Sequence, residues 1–474
     1  MRGTQKRLVI VLLSVLVTTS LLLPSRMNAA ADSSSGQPGT RDTLWENRTF
    51  WRWSYFDPNA RCETEAILTR VSTGAYWYVE RKLIDQGLNY TTEQMDVVAP
   101  AFDNQVMPRL HSAFGYEPLP PDDIDGDSRI TVLIYDSFST SYFDPRNELP
   151  ATIDPTSNQR EMVYVRHVAE PARLLSIVAH EVSHLIQWNY RHYSDADWVD
   201  EGLAWTASVV AGFPDYFVAD RYLNDTRVAL AEDRGATHLF VTYLMEHYGG
   251  ATLTRALTQN SENGFPRVES TLRQLGYNTK VGDVFEDWIV ANVVNERTTA
   301  GARYQYGNFT GHAKLTFQVS GYPWSFAIDH LGNGGAAYVR MADLPGASLR
   351  VDQNASVMGL SVVLLVRRGD DLQILRGQRA VEGGAIDFKA VPQADALTLA
   401  IAYLDENQGL NASTEVTMRL TMTSGSDVVG AVIAIGAVAT LVLGVVLGLR
   451  LFRRRRHGKF RSGKPGAWEN DANH

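Results

Sequence analysis

Two long, uncharged and mostly apolar runs, Leu8 to Leu23 and Val428 to Leu449, bracket a chain whose other hydrophobic residues recur at intervals. Between Ala66 and Phe114 the steps are three and four residues, as in Val71, Ala75, Tyr78 and Val79, then Met95, Val98, Phe102, Val106 and Leu110. That spacing lines one face of a 3.6-residue turn and predicts two or three helices. The turn-rich stretch Pro118 to Asp127 closes the region, and the apolar, β-branched segments Arg129 to Tyr135 and Glu161 to Arg166 predict buried strands. Helical spacing returns between Trp198 and Asn295, in Ala236, Leu239, Phe240, Tyr243, Leu244 and Tyr248 and in Val284, Phe285, Trp288, Ile289 and Val293. Gly249-Gly250 is expected to end one of these helices. From Gly307 to Thr423 short alternating runs (313–319, 336–341, 361–366, 397–403, 415–422) are broken by Gly, Asn and Asp at the spacing of a β-sandwich.

The apolar runs at the ends set the compartment. Arg2, Lys6 and Arg7, the run Leu8 to Leu23, and Ala29-Ala30-Ala31 follow the order of a secretory signal peptide over residues 1–31. A small, polar lead-in (32–43) precedes the folded part. The run 428–449 carries no charge over a length that covers roughly 30 Å as a helix, which predicts a transmembrane helix. The tail 450–474 opens with Arg450, Arg453, Arg454, Arg455 and Arg456, a pattern that stays cytoplasmic. The chain is thus expected at the cell membrane, single-pass, with its N-terminal bulk outside. Gly444 and Gly448 form one G-x-x-x-G in the span, a weak signal for pairing, so the oligomeric state is left open.

Net charge is −9 even with the basic tail included, which excludes a nucleic-acid partner. One cysteine, Cys62, excludes an intrachain disulfide and reads as a buried, inert thiol. The aromatic cluster Trp45, Phe50, Trp51, Trp53, Tyr55 and Phe56 reads as core packing rather than a binding surface.

Candidate chemistry is concentrated in Pro171 to Trp188. Pro171 suits a first helical turn, and Leu174, Val178, Val182 and Leu185 make one apolar stripe. On that helix His180 and His184 are four residues apart, so both imidazoles project from one face and can converge on a single ion. Glu181 then stands beside the ion, where a carboxylate can take a proton from water.

A catalytic zinc needs a third protein ligand and one open position. One large group of H-E-x-x-H enzymes uses a residue six positions after the second histidine, preceded by a bending glycine; here those positions hold Tyr190 and Gln187, which excludes that group. The segment Asp197-Trp-Val-Asp-Glu201-Gly-Leu-Ala-Trp205 instead offers Glu201 from a following helix, with Asp195 or Asp197 as its cap, Gly202 and Ala204 leaving room for close packing, and Asp200 placed to orient a ligand.

His180-Glu181-x-x-His184 followed by Trp198-Val-Asp-Glu201-Gly-Leu-Ala resembles the gluzincin zinc metallopeptidases, most closely bacterial extracellular neutral metalloproteases of the hyicolysin type. The likeness runs from about Phe102 to Tyr248. It implies His180, His184 and Glu201 as ligands of one catalytic zinc, Glu181 as the catalytic acid/base, and a peptide or protein substrate. The expected architecture is α+β: a zincin-like catalytic domain (44–300) with a mixed sheet, an active-site helix and a helical C-terminal half, then an all-β sandwich domain (307–424) and the membrane helix. The alternative is a surface binding or adhesion protein whose peptidase-like part does not turn over. His238 and Tyr243 are candidates for the donor facing a developing oxyanion. Asp123, Asp125 and Asp127 alternate as in a calcium loop, but glycine at the fourth position and the missing glutamate at the twelfth fail the EF-hand pattern, so a plain Asp/Gly turn is expected. His167, His192 and His247 have no ligand-spaced partners and read as ordinary histidines.

Overall fold

The computed structural model describes residues 42–424 apart from 55–59, 89–91, 120–121, 138–140, 194–196, 299–300, 342–346, 354–358, 378–383 and 407–411. The expected signal peptide, membrane span and basic tail therefore lie outside the described residues, as do Asp195, Tyr55 and Phe56. Among the described residues no helix is long and apolar enough to cross a membrane.

The first half is built on a six-stranded sheet of β1 (Asn47–Trp53), β2 (Arg61–Val71), β3 (Ala75–Glu80), β4 (Ile130–Tyr135), β5 (Tyr142–Phe143) and β6 (Met162–Arg166), in the order β1-β2-β3-β4-β6-β5. β3, β4 and β6 are parallel and the outer pairings antiparallel, with β5 at the edge. The strand period of two sorts side chains cleanly. Tyr76, Tyr78, Leu133, Tyr135, Met162 and Tyr164 face a small aromatic cluster with Phe50. Trp77, Val79, Val132, Ile134, Val163 and Val165 face the helices and the main core.

The crossover from β3 to β4 contains α1 (Arg81–Asp85), α2 (Thr92–Ala101), a π turn (Phe102–Val106) and α3 (Met107–Ala113). Here the structure corrects the helical reading of residues 66–80. Val71, Ala75, Tyr78 and Val79 lie in β2 and β3, not on a helix. β3 is buried at every position, so its residues show none of the alternation that marks a half-exposed strand.

After β6 come α4 (Pro171–Arg191), α5 (Trp198–Ala211), α6 (Phe217–Tyr222), α7 (Arg234–His247), α8 (Ala251–Gln259), α9 (Gly264–Gln274) and α10 (Val281–Val294). α7 ends before Gly249 and Gly250, both at positive φ, as the sequence predicts.

The last part is a sandwich. Strands β7 (Phe317–Val319), β8 (Trp324–Gly332), β9 (Gly335–Met341), β10 (Ala347–Gln353), β11 (Leu360–Arg368), β12 (Asp371–Arg376), β13 (Gly384–Val391), β14 (Ala396–Tyr403) and β15 (Ser413–Ser424) form one sheet ordered β13-β10-β15-β8 and another ordered β12-β11-β14-β9-β7. Between them Ile328, Val339, Val351, Leu364, Leu399 and Leu420 make the inner core. The outer face of the five-stranded sheet is also buried: Ala336, Tyr338, Val363, Ala400 and Ala402 join the core of the helical half. Tyr338 Oη donates to the Ile289 carbonyl of α10 at 2.6 Å, and Arg376 of β12 pairs with Glu286 and Asp287 of the same helix.

Candidate metal centre

α4 is capped by Glu170, whose carboxylate accepts from the amides of Ala172 at 2.9 Å and Arg173 at 2.6 Å, with Pro171 at the first helical position. Leu174, Leu175, Val178, Val182 and Leu185 are buried against the sheet, which turns His180 and His184 toward α5. Their ring centroids are 5.0 Å apart.

α5 begins at a capping box. The Asp197 carboxylate accepts from the Asp200 amide at 3.0 Å, and Asp200 accepts from the Asp197 amide at 2.9 Å. Glu201 follows one residue later. Its two carboxylate oxygens stand 3.9 Å from His180 Nε2 and 3.8 Å from His184 Nε2. Both gaps are too long for hydrogen bonds. The two gaps run to different oxygens of Glu201 and lie near the limit of about 4.2 Å that two metal–ligand bonds of about 2.0–2.1 Å can span, while the three residues whose ligand atoms all lie within 4.8 Å of one another are His180, Glu181 and His184. Two imidazole nitrogens and a carboxylate are a zinc-type donor set with room for a further ligand.

Glu181 also brings an oxygen within 4.8 Å of both imidazoles, so two carboxylates flank the pair. Their settings differ. Glu181 is 5% exposed, whereas the Glu201 side chain is 32% exposed and spans both rings. Burial, and then the charge of Glu201, holds the Glu181 carboxyl well above the usual range, while Arg234 and the Phe143 backbone of β5 act the other way. Burial, followed by His184, Arg234 and His238, keeps His180 well below the ordinary histidine value. Its imidazole is therefore neutral at neutral pH, the form that binds a metal.

Asp200, read from the sequence as placed to orient a ligand, is paired through its side chain with two arginines. Fully buried, it accepts from Arg267 at 2.7 Å and from Arg191, while Gln187 of α4 donates to its backbone carbonyl at 3.2 Å. Burial alone would raise its pKa, but the two guanidiniums hold it below the usual carboxylate value. Its role is to fix the start of α5, and with it Glu201. Gly202 leaves the expected room: a Cβ there would meet the Thr237 carbonyl at 2.8 Å and the Val241 side chain on α7.

His238 is completely buried, stacked between Trp205 at 5.7 Å and Tyr216 at 5.4 Å, and the Trp205 indole also lies edge-on to His180 at 4.7 Å. Burial pushes His238 down to about 3, so it is neutral. Tyr243 Oη donates to the Arg303 carbonyl at 3.0 Å, whereas neither ring nitrogen of His238 has a partner among the described residues. His192 closes α4 in a left-handed conformation, and His247 bonds the Gln305 carbonyl at 3.0 Å. Asp123 and Asp125 approach each other, but Asp127 turns away to Tyr76 Oη at 2.6 Å and Arg129 at 2.9 Å. Phe50 is core, whereas Trp45 is exposed; Cys62 is half-buried rather than buried. Two residues near the centre escaped the sequence reading. Trp205 lies four after Glu201, on the same helical face, and was legible; Arg234, exposed at the first turn of α7, carried no local signal.

No protein-family model and no curated protein matches the chain. Among solved structures, the pre-peptidase C-terminal domain of a collagenase from Bacillus anthracis is similar at 12% identity and TM-score 0.18, covering 23% of this chain and 97% of that one. PliG, a periplasmic inhibitor of g-type lysozyme, is similar in its Aeromonas hydrophila form at 10% identity and TM-score 0.19, covering 23% and 98%. The Salmonella Typhimurium form gives 13% identity and TM-score 0.17, covering 23% and 100%. Likeness at that level defines neither a fold nor an activity for this chain.

Proposed function

We propose that the chain is a zinc-dependent peptidase of the gluzincin type, in which the β1–β6 sheet with α4 and α5 forms a zincin-like catalytic half. One observation carries the reading: the Nε2 atoms of His180 and His184 face the two oxygens of Glu201 at 3.9 and 3.8 Å, with the buried carboxylate of Glu181 alongside. Zinc held by these three residues would polarise a carbonyl and acidify water.

The remaining work falls to the chain. Neutral His180 offers a lone pair without a competing proton. Glu181, with its carboxyl pKa held up by burial, is suited to receive a proton from water and return it to a leaving amine. Arg234 is exposed yet influences both His180 and Glu181, which makes it the candidate cation for an oxygen gaining negative charge. β5 is an edge strand whose Phe143 backbone touches Glu181, so an extended peptide pairing with that edge would pass the reacting groups. The leader over residues 1–31 and the 428–449 run with its arginines support a place on the outer face of a membrane.

Elemental analysis of the full chain is expected to find about one zinc per molecule. Casein cleavage is expected to stop with 1,10-phenanthroline and return with zinc. Glu181→Gln should keep the metal and lose about 10²–10⁴-fold in turnover. If wild type and Glu181→Gln behave alike on a peptide library while both hold zinc, the peptidase reading fails and a binding or adhesion role replaces it.

A further inference from the structure

The Asp123–Asp127 turn gains partners in three dimensions that its local pattern does not show. Oxygens of Asp123, Asp125 and Glu161 lie within 4.8 Å of one another. Glu161 immediately precedes β6, and Glu148, on the 3-10 turn Pro145–Glu148, faces it at hydrogen-bonding range. In each of three carboxylates one oxygen is left over. Asp123 Oδ1 accepts from the amides of Asp125 at 3.0 Å and Gly126 at 2.8 Å, and Glu161 Oε1 accepts from the Ile124 amide at 3.1 Å. Asp123 Oδ2, Glu161 Oε2 and Glu148 Oε1 are buried, and no donor among the described residues reaches them. Asp123 is 7% exposed and Glu161 2%.

Buried carboxylate oxygens without donors cost several kcal/mol unless something positive meets them. The guanidinium at the cluster, Arg160, is 3.6 Å from Asp125 and bonded to Asp42 at 2.8 Å, and its unpartnered Nη2 does not reach the three oxygens. A shared proton could serve the Glu148–Glu161 contact, but one proton bridges two oxygens and leaves Asp123 Oδ2 unmet. A cation can meet the oxygens of Asp123, Asp125 and Glu161, which lie within 4.8 Å of one another, with Glu148 adjoining through Glu161. The donors are all oxygen, drawn from two separate segments in an irregular arrangement, which suits calcium better than magnesium with its strict octahedron.

We propose that Asp123, Asp125 and Glu161 form a calcium site that ties the 122–127 turn to the start of β6, with Glu148 of the 145–148 turn set against Glu161. The electrostatics agree: burial and the charge of Glu161 hold Glu148 well above the usual carboxyl range, and burial with Asp123 pushes Glu161 up to about 7, as expected of acids gathered without their counter-ion. The site is independent of the zinc reading and is tested without turnover.

The full chain, stripped with EGTA, should bind one calcium in calorimetry, bind magnesium at least about 10-fold more weakly, and melt a few degrees higher at saturating calcium. Asp123→Asn and Glu161→Gln should lose the calcium response, whereas Asp127→Asn, outside the cluster, should keep it. In the wild type, bound terbium should emit under tyrosine excitation and be displaced by calcium, which keeps the test sound if a variant fails to fold. A wild type that shows no calcium heat, melting shift or terbium emission overturns the site. So do equal calcium binding by both cluster variants, a preference for magnesium, or a Glu161→Gln chain that is as stable as wild type with and without calcium, the mark of a shared proton.

Discussion

Asp200→Asn tests how the fold places Glu201. In the wild type, Asp200 Oδ1 accepts from Arg267 at 2.7 Å and from Arg191, and Oδ2 accepts from the Asp197 amide at 2.9 Å. Asparagine has a single acceptor oxygen. With that oxygen toward the arginines, its NH2 meets the Asp197 N–H; flipped, the NH2 meets two guanidiniums. Either way donors face donors, and in the flipped form Arg267, fully buried, keeps only its 3.3 Å contact with Asp197 and its 2.8 Å bond to the Leu257 carbonyl. Solvent cannot compensate, because the side chains of Asp200 and Arg267 are 0% exposed and that of Arg191 is 5% exposed. Leaving buried charges uncompensated costs about 3–5 kcal/mol.

At roughly 2 °C per kcal/mol for a large cooperative unit, the melting temperature should fall by about 5–10 °C. Because Glu201 is the next residue, zinc affinity measured by chelator competition should fall as well, by about 10-fold, as for a group supporting a ligand. Arg81→Gln, at the exposed pair with Asp85, is the control and should change neither. A variant with wild-type melting and wild-type zinc affinity would refute the assignment of Glu201 placement to this network.

Gly202→Ala puts a methyl against the Thr237 carbonyl and Val241, so it should cost about 1–3 kcal/mol and weaken zinc binding, measured by denaturant unfolding and competition. Asp42 is buried; burial raises its pKa, yet Arg160 and Arg48 bring it below the usual value, so its stabilisation is present above about pH 4 and lost as pH falls through its folded pKa. Asp42→Asn should therefore lower stability at pH 7 by about 3 kcal/mol and flatten the loss of stability below pH 4 in acid titrations followed by circular dichroism. Arg376→Ala removes a partner of Glu286 and Asp287 and, the guanidinium being about a third exposed, should cost about 1–2 kcal/mol in one unfolding transition; a second transition in calorimetry would show that the sandwich melts apart from the helices.

What was legible in the sequence were features with local causes. Pro171 and the apolar stripe marked α4, and the Asp197 cap marked α5 and so Glu201. What escaped was tertiary. β3 passed for a helix because burial on both faces erases alternation. The same sign was present in the mostly apolar residues of β11 and β14, which are buried both in the sandwich and against the helices. Asp200 was read as orienting a ligand, but its partner Arg267 could not be named, because it comes from α9, 67 residues on. Glu148 and Glu161 joined Asp123 only through the strand order, which no spacing along the chain displays.

The two proposed cation sites sit at opposite ends of one structural path. Glu161 begins β6, and the chain leaving β6 enters α4, which carries His180 and His184. Five strand residues separate Glu161 from the end of β6, roughly 16 Å at the usual rise. A cation at the first end would fix the register of β6, and through it the seat of α4, without touching the reacting groups. Inhibition by EDTA, which takes both ions, would then say little about which one matters. EGTA should remove calcium and lower stability while zinc stays bound, and 1,10-phenanthroline should remove zinc with little change in melting. If EGTA at a concentration that leaves zinc in place abolishes turnover at temperatures where the fold is intact, the calcium end is coupled to the chemistry through α4 rather than through stability alone.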